Sequence, residues 1–381
     1  MIIKSLFEHN LCTRCTGRIF ANVDTGMTNL ERGKSLLFAH KSLYGDVKEV
    51  NKCWLCNNIF DQFDKYYNMV NDLIGEYEYE SFLIGSKFDK SLLLEEESLQ
   101  NDYGSKGESI KKEFNREFGK YFSMKSGKEY SKYPDMTIHI NTIYDNVEVI
   151  IKSLYVYGKY IKKRRDIPQT RWVHGSGDSI ESIIGDQLMK MALSENYHLH
   201  GAGREDVDVM MLGNGREFVI EAVNPKIRKI DMDKFQENVN SSGKNVFISD
   251  LSFCTKDTVK EIKESKYDKV YLAEIESGNN IDEQRFREAT RKLVGIEINQ
   301  RTPIRVIGNR SDIIRKKEIK YINIDSIGYN TAIIKVCAES GTYIKELVNG
   351  DGGRTLPSLS SMYGDNLYIK SLDVININRG D

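Results

Sequence analysis

Two pairs of cysteines constrain this chain before any other feature does: Cys12-Thr13-Arg14-Cys15 and Cys53-Trp54-Leu55-Cys56. A Cys-x-x-Cys turn can place two thiolates on one ion, and two such turns complete a tetrahedral zinc site. Sharing one ion requires the chain between the pairs to bring its ends together; four free or redox-active thiols are the other reading. Asn29 to Tyr44 has helical spacing through Leu30, Gly33, Leu36, Leu37 and His40, and ends at Gly45. The pairs are expected to meet across this inserted helix, making residues 1–60 a four-cysteine zinc module. Neither pair follows a proline, as the Pro-Cys-x-x-Cys of a zinc deaminase would. A four-thiolate site has no open coordination position, so its role is structural.

The N-terminal segment MIIKSLFEHN lacks the apolar core of a signal peptide, and no apolar run approaches the ~20 residues of a membrane span. The expectation is a soluble, cytoplasmic protein that acts as a monomer without a membrane partner. In that compartment clustered cysteines point to metal rather than disulfides. The formal net charge is only -1, so a nucleic-acid site has to be a local patch.

Residues 61–167 read as an accessory α/β domain. Asp61 to Ile74 is helical, Tyr79 to Ile84 extended, and Ile110 to Phe122 a helix with residues 110, 114, 118 and 122 on one face. Strands are predicted over Met136–Ile143 and Val147–Tyr157. From Lys152 to Arg171 basic residues predominate, interleaved with Tyr155, Tyr157 and Tyr160 and followed by Trp172. Basic groups bind phosphates and aromatics stack on bases, which makes this stretch a candidate RNA contact; a solvated edge with core tyrosines is the other reading. The boundary to the next domain is placed at Pro168.

Residues 168–381 mix strands and helices without strict alternation, which predicts an α+β domain around a largely antiparallel sheet. Its centre is Gly201 to Glu221, GAGREDVDVMMLGNGREFVIE. Glycines 201 and 203 lead into Arg204-Glu205-Asp206, then a strand through Val207, Val209 and Met211. Gly213-Asn214-Gly215 reads as a hairpin turn and Phe218-Val219-Ile220 as the returning strand. Carboxylates at the mouth of a strand are costly unless paired or used. Further on stand Gly341-Thr342-Tyr343-Ile344-Lys345-Glu346, Gly353-Arg354-Thr355-Leu356-Pro357-Ser358 and Leu372-Asp373-Val374. The first is a strand-to-helix corner that can put Tyr343 and Lys345 at an anionic site.

The string Gly203 to Val209 resembles the catalytic loop of pseudouridine synthases. With the three later boxes and the cysteine pairs it is similar to the archaeal and eukaryotic T-loop tRNA pseudouridine synthase family, whose N-terminal domain contains a THUMP fold. Met210 stands where that family often has an arginine. The resemblance implies a zinc-binding and THUMP-like accessory region before a pseudouridine synthase domain. It implies tRNA as partner, uridines 54 and 55 of the T arm as targets, and no cofactor for catalysis beside the structural zinc. It makes Asp206 the essential carboxylate, Tyr271 the ring packed on the base, Tyr343 a second substrate contact, and Ile344 and Leu372 an apolar pocket wall. Lys345 would lie close enough to hold Asp206 ionised, because a nearby cation favours the charged form. Two other readings compete: a metal-dependent nuclease using Asp208 and Glu221, and a non-catalytic RNA-binding zinc protein.

Overall fold

The computed structural model describes residues 2–23, 26–48, 50–105, 107–172, 177–309 and 311–379. The chain divides into two compact units, Met1–Lys152 and Ser153–Asp381.

In the first unit a four-stranded sheet is built from β1 (Ser81–Lys87), β2 (Glu129–Tyr130), β3 (Met136–Asn141) and β4 (Asn146–Ile151), in the order β2-β1-β3-β4. β1 runs parallel to β2 and β3, and β3 and β4 are antiparallel. The helix Ile110–Ser126 presents Ile110, Phe114, Phe118 and Phe122 on successive turns, and all four are buried. This is the face its spacing predicts. Towards the N-terminus, the helix Thr13–Ile19 crosses the helix Asn29–Tyr44 at two glycines. A Cβ on Gly17 would lie 1.9 Å from the Asn29 carbonyl oxygen, and one on Gly33 would lie 1.8 Å from that of Thr13. Only glycine permits so close a crossing, and it seats the first cysteine pair. A capping box between Thr28 and Glu31 starts the longer helix where the sequence predicts.

The second unit holds a ten-stranded sheet. Its strands are β5 (Leu154–Lys162), β6 (Asn196–Gly201), β7 (Met210–Val223), β8 (Val246–Cys254), β9 (Asp268–Ser277), β10 (Glu297–Arg301), β11 (Ile314–Ile327), β12 (Thr331–Ala338), β13 (Thr355–Leu356) and β14 (Leu367–Asn378). The order is β13-β10-β11-β12-β9-β14-β7-β5-β8, with β6 also on β7. β14 and β7 are parallel at Asp373↔Met210 and Val374↔Met211. The other strand pairings are antiparallel. Helices Ile180–Ala192, Met232–Asn240 and Glu283–Leu293 bury Ile184, Leu188, Phe235 and Phe286 in the main core. The helix Lys256–Glu264 packs through Ile262 on a separate cluster with Tyr155, Ala202 and Val219.

Expectations change around the unit boundary and around the Gly213–Gly215 turn. The unit boundary lies at Lys152–Ser153, upstream of Pro168. The stretch Val147–Tyr157 is two strands rather than one: β4 closes the first sheet, and β5 lies between β7 and β8 in the second. Of the two readings of the basic, tyrosine-rich stretch, β5 agrees with core tyrosines: Tyr155 and Tyr160 are buried, and Lys162 with them, because each polar end finds a partner. The second change is at Gly213–Gly215, where no hairpin forms. β7 continues as one strand, and residues 212–215 bulge between the pairs Tyr160↔Arg216 and Lys162↔Met211. Gly213 and Gly215 have φ of 64° and 72°, and a Cβ on Gly213 would meet the Ile375 carbonyl oxygen at 1.9 Å. The Asn214 amide donates to the Ile377 carbonyl at 2.7 Å and accepts from its N–H at 3.0 Å. Bulge and hairpin both call for positive φ, so Gly-Asn-Gly alone does not distinguish them. The predicted strand over Val207–Val209 is likewise a turn, and β7 begins at Met210.

Candidate active site

The loop joining β6 to β7 is fixed from beneath by buried charge. Glu205 turns inward, its side chain 1% exposed, and accepts from Tyr160 Oη at 2.9 Å and Arg216 Nε at 2.8 Å. Lys162, equally buried, donates to the carbonyls of Ile167, Asp206 and Val207 at 3.1, 3.3 and 3.2 Å. Gln169 bonds the Gly203 carbonyl and the Tyr160 hydroxyl. Arg165 donates to the carbonyls of Asp208 and Leu372 and pairs with the Asp373 carboxylate at 2.8 Å. With neighbouring Glu205 locked inside, Asp206 points outward at 37% side-chain exposure.

Two cations hold the Asp206 carboxylate. Arg305 Nη1 lies 3.0 Å from it and Lys345 Nζ 3.4 Å. Lys345 is closer to Asp208, at 2.8 Å, and Arg305 also bonds Glu346 at 2.7 Å. Burial works against the charge of Asp208, but the hydrogen bond and charge of Lys345 outweigh it, so its carboxyl lies below the usual range. Lys345 stands on the first turn of the helix Ile344–Asn349, after a corner in which Gly341 has φ of 77°. The buried Gln300 side chain pins that corner, donating to the Tyr343 carbonyl and accepting from the Tyr343 N–H, both at 2.9 Å.

Asp206, Tyr271, Tyr343, Ile344, Lys345 and Leu372 all line one cavity of about 840 Å³. This lies within the ~300–1,000 Å³ usual for small-molecule sites. Tyr271 and Leu372 come from the neighbouring strands β9 and β14, with Tyr271 opposite Val374. Burial pushes the Tyr271 phenol up to about 12, so it stays protonated at neutral pH. The lining is rich in cations, including Arg204, Arg216, Lys263, Lys269, Arg305 and Lys345.

The sequence does not mark Arg305, Arg216 or Lys269, and it shows Lys162 only as one of the basic residues between Lys152 and Arg171. Arg305 lies in a short 3-10 segment, Ile304–Asn309, with no periodic pattern to mark it. The basic stretch is largely committed within the protein. Lys159 pairs with Asp250, Arg164 with Asp178 and Arg165 with Asp373, while the Arg171 guanidinium lies 4.0 Å from the Tyr197 ring centroid. Its tyrosines 155, 157 and 160 donate to Glu221, Glu217 and Glu205. Glu221 therefore serves Tyr155 and also meets His200 Nε2 at 3.2 Å. The acids needed for a nuclease metal site do not gather. Among the described residues, the group of three or more ligands placed for a metal is Cys12, Cys15, Cys53 and Cys56.

Those four sulfurs lie within 4.8 Å of one another, with Cys12 and Cys56 3.7 Å apart. Sulfurs at ~2.3 Å from a central ion would form a tetrahedron with edges of about 3.8 Å, so the group fits zinc. Arg18 Nη2 donates to Cys15 Sγ at 3.4 Å, and the same guanidinium bonds Glu96 at 2.7 Å and Glu113 at 3.0 Å.

The family model "Pus10, C-terminal" matches residues 155–378, and "Pus10 THUMP domain, archaeal" matches residues 66–141. Two curated relatives, each named tRNA pseudouridine synthase Pus10, span the whole chain. That of Picrophilus torridus is 56% identical over 100% of both chains, and that of Thermoplasma acidophilum is 51% identical over 100% of this chain and 99% of its own. The chain belongs to the Pus10 family. This agrees with the resemblance carried by Gly203–Val209 and the later boxes, and with the α+β fold expected from them. The C-terminal family model starts at Tyr155, inside β5, close to the boundary between the two units. A solved Cbf5–Nop10–Gar1 complex is more distantly similar, with a TM-score of 0.35 and 15% identity over 58% of this chain and 50% of that one. Among the described residues, no helix is long and apolar enough to cross a membrane.

Proposed function

We propose that this chain isomerises uridine to pseudouridine in tRNA, acting in the T arm at positions 54 and 55, with Asp206 as the essential carboxylate. One observation carries the assignment of Asp206. Of the loop's acids, Glu205 is buried and ion-paired and Asp208 is not among the cavity lining, whereas Asp206 lines the cavity with Lys345 and Arg305 against it. The C1′–N1 bond must break, the uracil must turn, and C5 must join C1′. N1 gains a proton and C5 loses one, so the reaction needs no redox partner and no group donor. Lys345 and Arg305 keep a negative charge favourable beside the sugar. Ile344, Leu372 and the Tyr271 ring form a wall that retains the detached base, and Tyr343 is a second contact to the nucleotide. The target base has to leave its stack to reach Asp206 in this cavity. A structural zinc on Cys12, Cys15, Cys53 and Cys56 orders the N-terminal region, the THUMP-like segment assists tRNA binding, and the protein works as a cytoplasmic monomer.

The test is single-turnover conversion of an unmodified tRNA transcript, with pseudouridine mapped chemically. Asp206→Asn keeps the shape and removes the charge, so tRNA should bind about as well and turnover should be lost. Asp208→Asn should retain measurable turnover, its cost being the ~0.5–3 kcal/mol of stability common for single changes. Near wild-type conversion by Asp206→Asn would overturn the assignment.

A further inference from the structure

Lys269 is a buried cation with no ion-pair partner among the described residues. It lies on β9 two residues before Tyr271, so both side chains stand on the same face of the strand and both line the cavity that holds Asp206. Its residue is 8% exposed. The ammonium donates to the Tyr267 carbonyl at 2.9 Å and reaches Ser340 Oγ at 3.4 Å, which among the described residues leaves one N–H without a protein acceptor and no carboxylate within ion-pair distance. The charged groups that bear on it are Asp268 on its own strand and three cations from other elements: Arg216 on β7, Lys317 on β11, and Arg379 beyond β14. Burial first, and then those cations, push Lys269 down to about 8. A charge so placed is costly unless an anion comes to it.

Resting on the proposed isomerase reading, we propose that Lys269 is a further catalytic residue, its ammonium receiving a carbonyl oxygen of the uracil as the base leaves the sugar. When the C1′–N1 bond breaks, its electron pair goes with N1, and the negative charge spreads onto the ring oxygens. A donor at a carbonyl oxygen therefore binds the departing base more tightly than the bound uridine, which is the condition for accelerating the step. As C1′ joins C5 and N1 takes up a proton, the charge disappears and the contact weakens. Burial selects the base over a backbone phosphate. A phosphate belongs to a continuous, strongly hydrated chain that must run along an open rim, whereas the amine of Lys269 sits in the wall.

The test is single-turnover conversion by Lys269→Met and Lys269→Arg on two transcripts, one with uridine and one with 5-fluorouridine at the target. It is read as loss of the starting nucleoside, with tRNA affinity measured in parallel. Lys269→Met should slow the uridine reaction about 100-fold, the scale of one lost oxyanion donor, with affinity unchanged. Fluorine makes the departing base a better leaving group, so the loss should shrink to about 10-fold or less. The wild-type rate should fall as pH rises through about 8, as the amine loses its proton. Lys269→Arg, which stays charged, should lose that fall. Should Lys269→Met not fold, Lys269→Gln is read in its place. An equal loss on both transcripts with weakened affinity would identify a phosphate contact and overturn the proposal. Equal loss with unchanged affinity would mean a structural role, and no loss would mean no role; either overturns it. Wild-type protein that makes no pseudouridine would instead overturn the isomerase reading itself.

Discussion

Each unit contains a cation that is almost wholly buried, and the two are treated in opposite ways. Arg18 in the first unit is bonded on every side, with Glu96 and Glu113 accepting from it and Cys15 Sγ within reach. Burial works against its charge, but those three groups outweigh burial and raise its affinity for the proton. Lys269 in the second unit has two neutral acceptors and no acid partner, and its proton is loosened. Desolvation penalises both. What differs is whether the surroundings answer the charge. A closed network joins elements, and Arg18 ties the cysteine-bearing helix to the helices that carry Glu96 and Glu113. An open one leaves a group free to answer something that is not part of the protein.

The comparison can be broken most severely at the metal. Removing zinc with a chelator should melt the first unit and leave the second folded, since a four-thiolate ion supplies ~10–16 kcal/mol in small zinc modules. The two tryptophans separate the signals, Trp54 lying in the first unit and Trp172 in the second. Freshly reduced protein should carry about one zinc per chain. Protein without zinc that holds the Trp54 signal unchanged would detach the fold of this unit from the ion.

Arg18→Met should come next. It strands Glu96 and Glu113 without their buried partner and should destabilise the first unit by about 3–5 kcal/mol. Denaturant unfolding followed at Trp54 measures this. A loss below about 1 kcal/mol would place Arg18 among exposed pairs, which are worth little.

Lys269 gives a smaller effect of the opposite kind. Its value in the folded chain is about 8, against 10.5 for an ordinary lysine. Below about pH 8 the folded and unfolded chains both carry the proton. Between about 8 and 10.5 the unfolded chain binds more protons, so the second unit should become more stable as pH rises, by about 3 kcal/mol from this group. Lys269→Met should lack that rise and be the more stable protein at neutral pH. Unfolding followed at Trp172 across this range decides it. Identical pH dependence in the two proteins would mean that Lys269 is as well answered as Arg18.

Which of these features are legible in the sequence follows from how local their causes are. Cys-x-x-Cys is a local signature, and both pairs were found. The face of the helix Ile110–Ser126 is set by period alone, and it too was found. The loop at Asp206 was recognised through a contiguous string, and Glu346 lay inside a quoted box. Arg305 reaches Asp206 across 99 positions from a segment with no pattern. Lys162 and Arg165 were visible as positive charge, but most of their partners are backbone carbonyls, which any sequence supplies. Charge count showed that cations were present and gave no sign of where they pointed. Gly213-Asn214-Gly215 shows the same limit for backbone. Its positive φ values were foreseeable, whereas the choice of bulge over hairpin was made by β14, which packs against it.

The position of β14 has a consequence for how the molecule is made. It follows the other nine strands of this sheet in sequence, yet it lies in the interior of the sheet between β9 and β7. Its pairings join β9 and its neighbours to β7, and it carries Asp373, the partner of Arg165 across 208 positions. In strand order, β14 stands between the half of the sheet that carries the Asp206 loop and the half that carries Lys269. Leu367–Asn378 close the sheet and bring Leu372 and Val374 to the cavity. Contacts of such sequence separation form slowly, so the closing of the sheet around the cavity should be a late step in folding.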